Sequence, residues 1–139
     1  MVKSGKEILQ ERFEILEKNI AELRLFRQNN TVEDVKRQKR LEWALRYGLL
    51  ESIQIVIDIS CHVASDYNLG TPVTYSECIE LLEKNNYLPA DISERLYGMV
   101  GLRNLLIHEY HHIDVDRLYS LLNYIKDFEN FITYLSNFL

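Results

Sequence analysis

A chain of 139 residues with 47% hydrophobic content has room for one domain with a real core and is too short for two comfortable ones. One domain over residues 1–139 is therefore expected. A formal net charge of −5 excludes a protein that coats nucleic acid or an anionic membrane through bulk charge.

Any nucleic-acid contact must be local, and the charge is uneven. Residues 1–48 carry 11 Lys+Arg against 8 Asp+Glu, leaving 5 against 13 for the remainder, so the first third is the better polyanion surface. The opening Met1-Val2-Lys3-Ser4-Gly5-Lys6-Glu7 turns directly into a charged amphipathic pattern and lacks the apolar stretch of a signal peptide. A cytoplasmic protein is the expectation. Cys61 and Cys78 lie seventeen positions apart with no CxxC, which suggests two reduced thiols rather than a disulfide framework or a zinc site.

With two prolines and five glycines and apolar residues recurring at three and four, the pattern is helical from end to end. Four helix openings carry a capping pair, a hydroxyl or carboxylate followed three positions later by an acid: Ser4 with Glu7, Thr31 with Asp34, Thr74 with Glu77, and Asp91 with Glu94. The first helix shows Leu9, Phe13, Leu16, Ile20 and Leu23 on one face and stops near Asn29-Asn30. A second, long helix is predicted from about Val32 to Tyr67, polar and basic at first and apolar nearly all round later. Its densest apolar stretch, Leu49 to Val63, is interrupted by Glu51, Gln54, Asp58 and His62, which fits a buried core helix rather than a membrane span.

Residues 68–73 form the clearest loop. A short helix follows over about Tyr75 to Lys84, ended by Asn85 and Asn86. The fourth helix is expected from Ile92 to Ile107 or just beyond. The fifth runs from Val115, behind an Asp114 cap, with Leu118, Leu122, Ile125, Phe128, Ile132, Leu135 and Leu139 inward. The predicted fold is all-α, an antiparallel bundle of four to five helices.

Chemistry concentrates in Gly101-Leu102-Arg103-Asn104-Leu105-Leu106-Ile107-His108-Glu109-Tyr110. At 100° per residue Asn104 falls about 100° from Arg103, His108 about 140° and Tyr110 about −20° if the helix persists. A guanidinium, an amide, an imidazole and a phenol can then converge at one helix end. Such a cluster suits attack of a ribose 2′-hydroxyl on the adjacent phosphodiester. Imidazole moves protons near neutrality and guanidinium steadies the crowded phosphorane, with no metal or cofactor required. One histidine serves poorly as both base and acid of an in-line reaction, so a two-fold dimer joining two clusters in one cleft is expected.

A blander reading of the same residues has Arg103 paired with an acid, Asn104 and His108 capping the last carbonyls, and Tyr110 plugging the bundle end. A rival is chemical: His108-Glu109-Tyr110-His111-His112 satisfies the HExxH pattern of zinc hydrolases. The motif falls where the helix ends, which counts against it.

Over about residues 49–131 the chain resembles the HepT-type HEPN proteins. The likeness rests on Ile57-Asp58-Ile59 with His62, Pro72 and Tyr75 with Leu81-Leu82, and Arg95-Leu96 with Met99. Gly101-Leu102-Arg103-Asn104, His108-Glu109-Tyr110 and Ile113-Asp114 complete it. The resemblance implies the toxin of a type II or type VII-like toxin–antitoxin pair: a dimeric helical ribonuclease with catalytic Arg103 and His108 supported by Asn104. It further implies silencing by an MNT-type nucleotidyltransferase antitoxin that adds AMP to Tyr110. An adenylated phenol there would occupy the anion site by charge and bulk. The alternative in another class is a catalytically silent helical module that keeps the partner but cuts nothing.

Lys36, Arg37, Lys39 and Arg40 place four cations in five positions, either a solvated surface or a contact to substrate-RNA phosphates. Trp43 and Tyr47 read as packing anchors. His62 reads as a core or interface histidine that Asp58 could hold, and Gly98 and Gly101 as points of close helix packing.

Overall fold

The computed structural model describes residues 2–138. Helix α1 (Gly5–Asn29), α2 (Val32–Arg37), α3 (Lys39–Asp66), α4 (Tyr75–Lys84), α5 (Ala90–His108), α6 (Val115–Ser120) and α7 (Ile125–Ser136) account for most of them, and no strand occurs among the described residues. The all-α bundle expected from the periodicity is the fold.

α3 is its axis, touching α1, α2, α4, α5, α6 and α7. Leu45, Leu49, Ile53, Val56, Ile57, Ile59 and Val63 are buried, and the two buried hydroxyls follow a single rule. Ser52 and Ser60 donate back to the carbonyls of Gly48 (2.7 Å) and Val56 (2.8 Å), so neither hydroxyl is stranded in the core. By length and composition α3 could cross a bilayer, but 56% of its apolar window is buried inside the bundle. The C-terminal elements add Phe128 and Phe131, the largest fully buried side chains. Arg95 ties α5 to α7: its Nε and Nη2 donate to Asp127 Oδ2 at 3.1 and 3.0 Å, with the guanidinium 4.5 Å above the Tyr124 ring.

The helix ends follow local chemistry. Ser4, Thr31, Thr74 and Asp114 accept from the backbone of the third residue on, and the Thr31–Asp34 and Thr74–Glu77 pairs close full capping boxes. Asn68 and Asn86 take left-handed backbone at φ 53° and 65°. Each is followed by a closing bond, Leu69 to Ala64 and Tyr87 to Leu82, the wrap that satisfies terminal carbonyls.

Several expectations need correction. The long second helix is two, because Gln38 is extended (φ −126°, ψ 104°) and interrupts the hydrogen-bond ladder, a bend that turns Val35 into the core. Asp91 is not a cap: α5 starts one residue earlier, behind Pro89, whose carbonyl also accepts the Ser93 hydroxyl. A 3-10 turn over Leu121–Tyr124 interrupts the last helix. Its inward residues are as expected except that Ile132 is half-buried and Leu139 lies outside the described residues. Cys61 and Cys78 are joined in a disulfide, Cα atoms 4.9 Å apart, because α3 and α4 pack side by side. Gly98 does admit a close neighbour, the Tyr124 hydroxyl, whereas Gly101 faces open space.

Phe128→Ala removes a ring with no solvent exposure from the densest packing. It is expected to lower unfolding free energy by about 3–5 kcal/mol, measured by denaturant titration.

Candidate active site

The buried stripe of α5, Ile92, Leu96, Met99, Leu102 and Leu106, seats this helix against α3 and leaves Arg103 half-buried at the seam. Its Nε donates to Gln54 Oε1 on α3. Gln54 in turn donates from Nε2 to Asp58 Oδ1 at 2.8 Å. Nη1 donates to Asn104 Oδ1 at 3.2 Å, and the guanidinium carbon stands 4.9 Å from the centre of the Tyr75 ring.

Two neutral amides and a π-face therefore orient this cation, and no carboxylate among the described residues lies within 4.0 Å of it. A guanidinium has five N–H donors in a rigid fork, so donors remain for a planar oxyanion. The expected acid partner is one step removed: Asp58 orients the glutamine and leaves the positive charge unneutralised.

His108 is the last residue of α5 and is exposed. Among the described residues its ring makes no hydrogen bond, to Arg103 or to a helix carbonyl. Asn104, one turn earlier and also exposed, lies between the two along the helix. Glu109 leaves the helical region (φ −136°, ψ 37°), and Tyr110–His112 form a 3-10 turn.

That helix end corrects two projections made on a continuous helix. Tyr110 does not stack two turns above Arg103. Nor do His108 and His112 share the helix face that HExxH chemistry needs, and no group of three or more metal-ligating side chains gathers among the described residues.

Arg46 decides where the turn sits. It donates from Nη1 to the Tyr110 carbonyl (2.9 Å), from Nη2 to the Ile113 carbonyl (2.7 Å) and from Nε to Glu42 (3.0 Å). Burial pushes the Glu42 carboxyl up, but the hydrogen bonds and charges of Arg46 and Lys39 outweigh it and hold the group below its ordinary value. Tyr110 itself stays 58% exposed, so it plugs nothing. It lines an open groove of about 250 Å³ with Trp43, Arg46, Tyr47, Leu50 and Leu106.

A guanidinium held without a counter-charge thus lies five residues before an exposed histidine on one helical seam. The sequence profile of the family described as Ribonuclease HepT-like matches residues 16–135. The chain belongs to the HepT-like ribonuclease family. It is 30% identical over 108 residues to the mRNA nuclease HepT of Shewanella oneidensis, covering 77% of this chain and 74% of that one. With the tRNA nuclease HepT of Aphanizomenon flos-aquae it shares 23% over 133 residues, 95% of this chain and 90% of the relative. The fold superposes on a tri-AMPylated Shewanella oneidensis HEPN toxin in complex with MNT antitoxin, with a TM-score of 0.84 and 24% identity, covering 94% of this chain and 97% of the other.

Within this HepT-like bundle the remaining candidate residues are distributed unevenly. Of the four basic residues, Lys36 meets Asp116 (3.0 Å), Arg37 meets Asp34 and Lys39 meets Glu42 (3.4 Å), while among the described residues Arg40 bonds only the Gln38 amide oxygen (3.0 Å). The His62 Nε2 lies 3.1 Å from the Asp66 carboxylate, not beside Asp58, and packs near Gly5. Trp43 and Tyr47 are not packing anchors, being 62% and 65% exposed.

Sequence reasoning missed Gln54, Arg46 and the role of Tyr75. The i, i+4 spacing of Gln54 and Asp58 was the available signal for the first. The other two depend on contacts between distant segments.

Arg46→Ala is expected to speed amide hydrogen exchange across residues 109–113 and to cost about 1.5–3 kcal/mol, the range for hydrogen bonds to charged groups. The acid dependence has a definite sign. Because the folded Glu42 carboxyl titrates below its ordinary value of 4.5, its contribution is present above that pH and fades as the pH falls through the lower folded value. Glu42→Gln should flatten this part of a stability-against-pH curve.

Proposed function

We propose that this chain is the toxin of a toxin–antitoxin pair, a metal-independent endoribonuclease acting as a single domain over residues 1–139. Arg103 binds the scissile phosphate and stabilises the phosphorane, His108 moves the proton, and Asn104 orients the guanidinium. The 2′-oxygen forms a bond to phosphorus as its proton leaves to a base, and the bond from phosphorus to the 5′-oxygen breaks as that oxygen gains a proton. The products are a 2′,3′-cyclic phosphate and a 5′-hydroxyl.

The observation that carries this reading is the uncompensated Arg103, fixed by Gln54 and Asn104, on the same helix end as an exposed His108. One imidazole per proposed site supplies one proton-transfer group, so the proposed working unit is a homodimer whose two seams share a cleft. The proposed location is cytoplasmic, where a reducing environment favours the dithiol form of the Cys61–Cys78 pair.

Silencing is proposed to occur by AMPylation of Tyr110 by an MNT-type nucleotidyltransferase antitoxin. Two features support it: the phenol is open to a partner enzyme, and Arg46 fixes the backbone that carries it. A phosphodiester there adds negative charge beside the helix end that carries Arg103, competing with substrate RNA.

Expression without the antitoxin is expected to arrest growth, and Arg103→Ala or His108→Ala to relieve the arrest. Purified variants should lose about 10²- to 10⁴-fold in RNA cleavage rate, and a chelator should leave the wild-type rate unchanged. A harmless wild type that still binds its antitoxin would instead identify the silent binding module.

A further inference from the structure

Two of the most exposed aromatic side chains, Trp43 and Tyr47, lie one turn apart on α3, on the face that meets α5. With Leu50 and Leu106 as floor and Tyr110 as the far wall, they bound the groove of about 250 Å³ described above. Its single charged wall residue, Arg46, is already committed to Glu42 and two backbone carbonyls. The lining is thus apolar and flat-faced, with the Glu51 carboxylate beside the Tyr47 hydroxyl at its edge, suited to a planar uncharged group and poorly suited to a phosphate.

The surroundings are different in kind. Along α3 the order is Arg40, Trp43, Tyr47, Leu50, Gln54, which rises about 21 Å at 1.5 Å per residue. At one end Arg40 is exposed and bonds only an amide oxygen. At the other, Gln54 holds Arg103. Two cations without carboxylate partners among the described residues flank one aromatic groove, the alternation of charge and stacking surface by which proteins hold unpaired nucleic acid.

We infer that the Trp43–Tyr47–Tyr110 groove is a nucleobase subsite: an unpaired base of the RNA, a few nucleotides from the bond held at Arg103, stacks there while Arg40 contacts the backbone beyond it. This rests on the ribonuclease reading above and narrows its substrate to RNA single-stranded at that base. It also narrows the proposed basic patch to Arg40, since Lys36, Arg37 and Lys39 already meet acids.

Trp43 is the chain's one tryptophan, so its fluorescence reports on this groove alone. The test titrates the full chain carrying His108→Ala with a short single-stranded oligoribonucleotide and, separately, with the same oligonucleotide made abasic. Saturable quenching by the first and none by the second is expected. On the same background Tyr47→Ala should weaken binding about 5- to 100-fold, the range for losing one stacking partner, without altering its salt dependence. Arg40→Gln should reduce the salt slope by about 0.7, as for one phosphate contact to a single strand.

Binding with unchanged tryptophan emission, or equal quenching by the abasic strand, overturns the subsite. So does a dimer that becomes monomeric in Trp43→Ala or Tyr47→Ala, because the groove would then be an interface between copies. The two readings fail separately. Normal cleavage by the wild type with no quenching removes the subsite alone, whereas base-dependent quenching without cleavage removes the nuclease alone.

Discussion

The candidate site depends on one cation kept available. Arg103 sits half-buried between α3 and α5, where a guanidinium would ordinarily be neutralised by a carboxylate. Here its hydrogen bonds go to two amides, Gln54 and Asn104, and its face lies over Tyr75. Amide oxygens orient an arginine without cancelling its charge, so the positive potential at the seam is retained for an incoming anion. The Arg95–Asp127 pair on the same helix shows the opposite solution. There two direct bonds to a buried carboxylate lock α5 to α7 and leave no net charge to offer. One helix thus carries a structural arginine and a poised one, and the partner's chemistry distinguishes them.

The fold serves that arrangement through α3. Its buried faces pack against the other helices, so its side chains are fixed in register with α5, and Gln54 reaches Arg103 from a rigid platform. The same helix supplies Arg46, which secures the turn after α5. The Arg103 end and the Tyr110 end of the seam are therefore both referenced to α3, and a disturbance of its packing would move the two together.

Much of this was legible from residue pattern alone. Periodicity and hydroxyl–acid pairs located most helix starts because a cap is a local interaction, complete within four residues. The ends and breaks were harder. Gln38 carries no proline or glycine mark, and it is extended because the segments on either side face different partners. α5 stops at His108 for a similar reason: Arg46, far away in sequence, holds the carbonyls of the following turn.

Aromatic residues misled in a consistent way. Residue type marks Trp43 and Tyr47 as packing anchors, but the first half of α3 runs along the bundle edge, where a helix has a face with nothing to cover it. The cysteines illustrate the converse: two thiols without a spacing motif become neighbours only once α3 and α4 are packed. Arg103, Asn104, His108 and Tyr110 were found because they are close in sequence. Gln54, forty-nine positions from Arg103, completes the site through tertiary structure.

The most direct measurement of the central claim is the chemical identity of the RNA ends made by the purified protein, read by mass spectrometry on a substrate and on its counterpart with a single 2′-deoxy sugar at the cleaved position. A 2′,3′-cyclic phosphate with a 5′-hydroxyl from the first, and an uncut bond in the second, is what Arg103 and His108 acting on a 2′-oxygen require. A 5′-phosphate with a 3′-hydroxyl, or equal cutting of the deoxy-substituted bond, would contradict it.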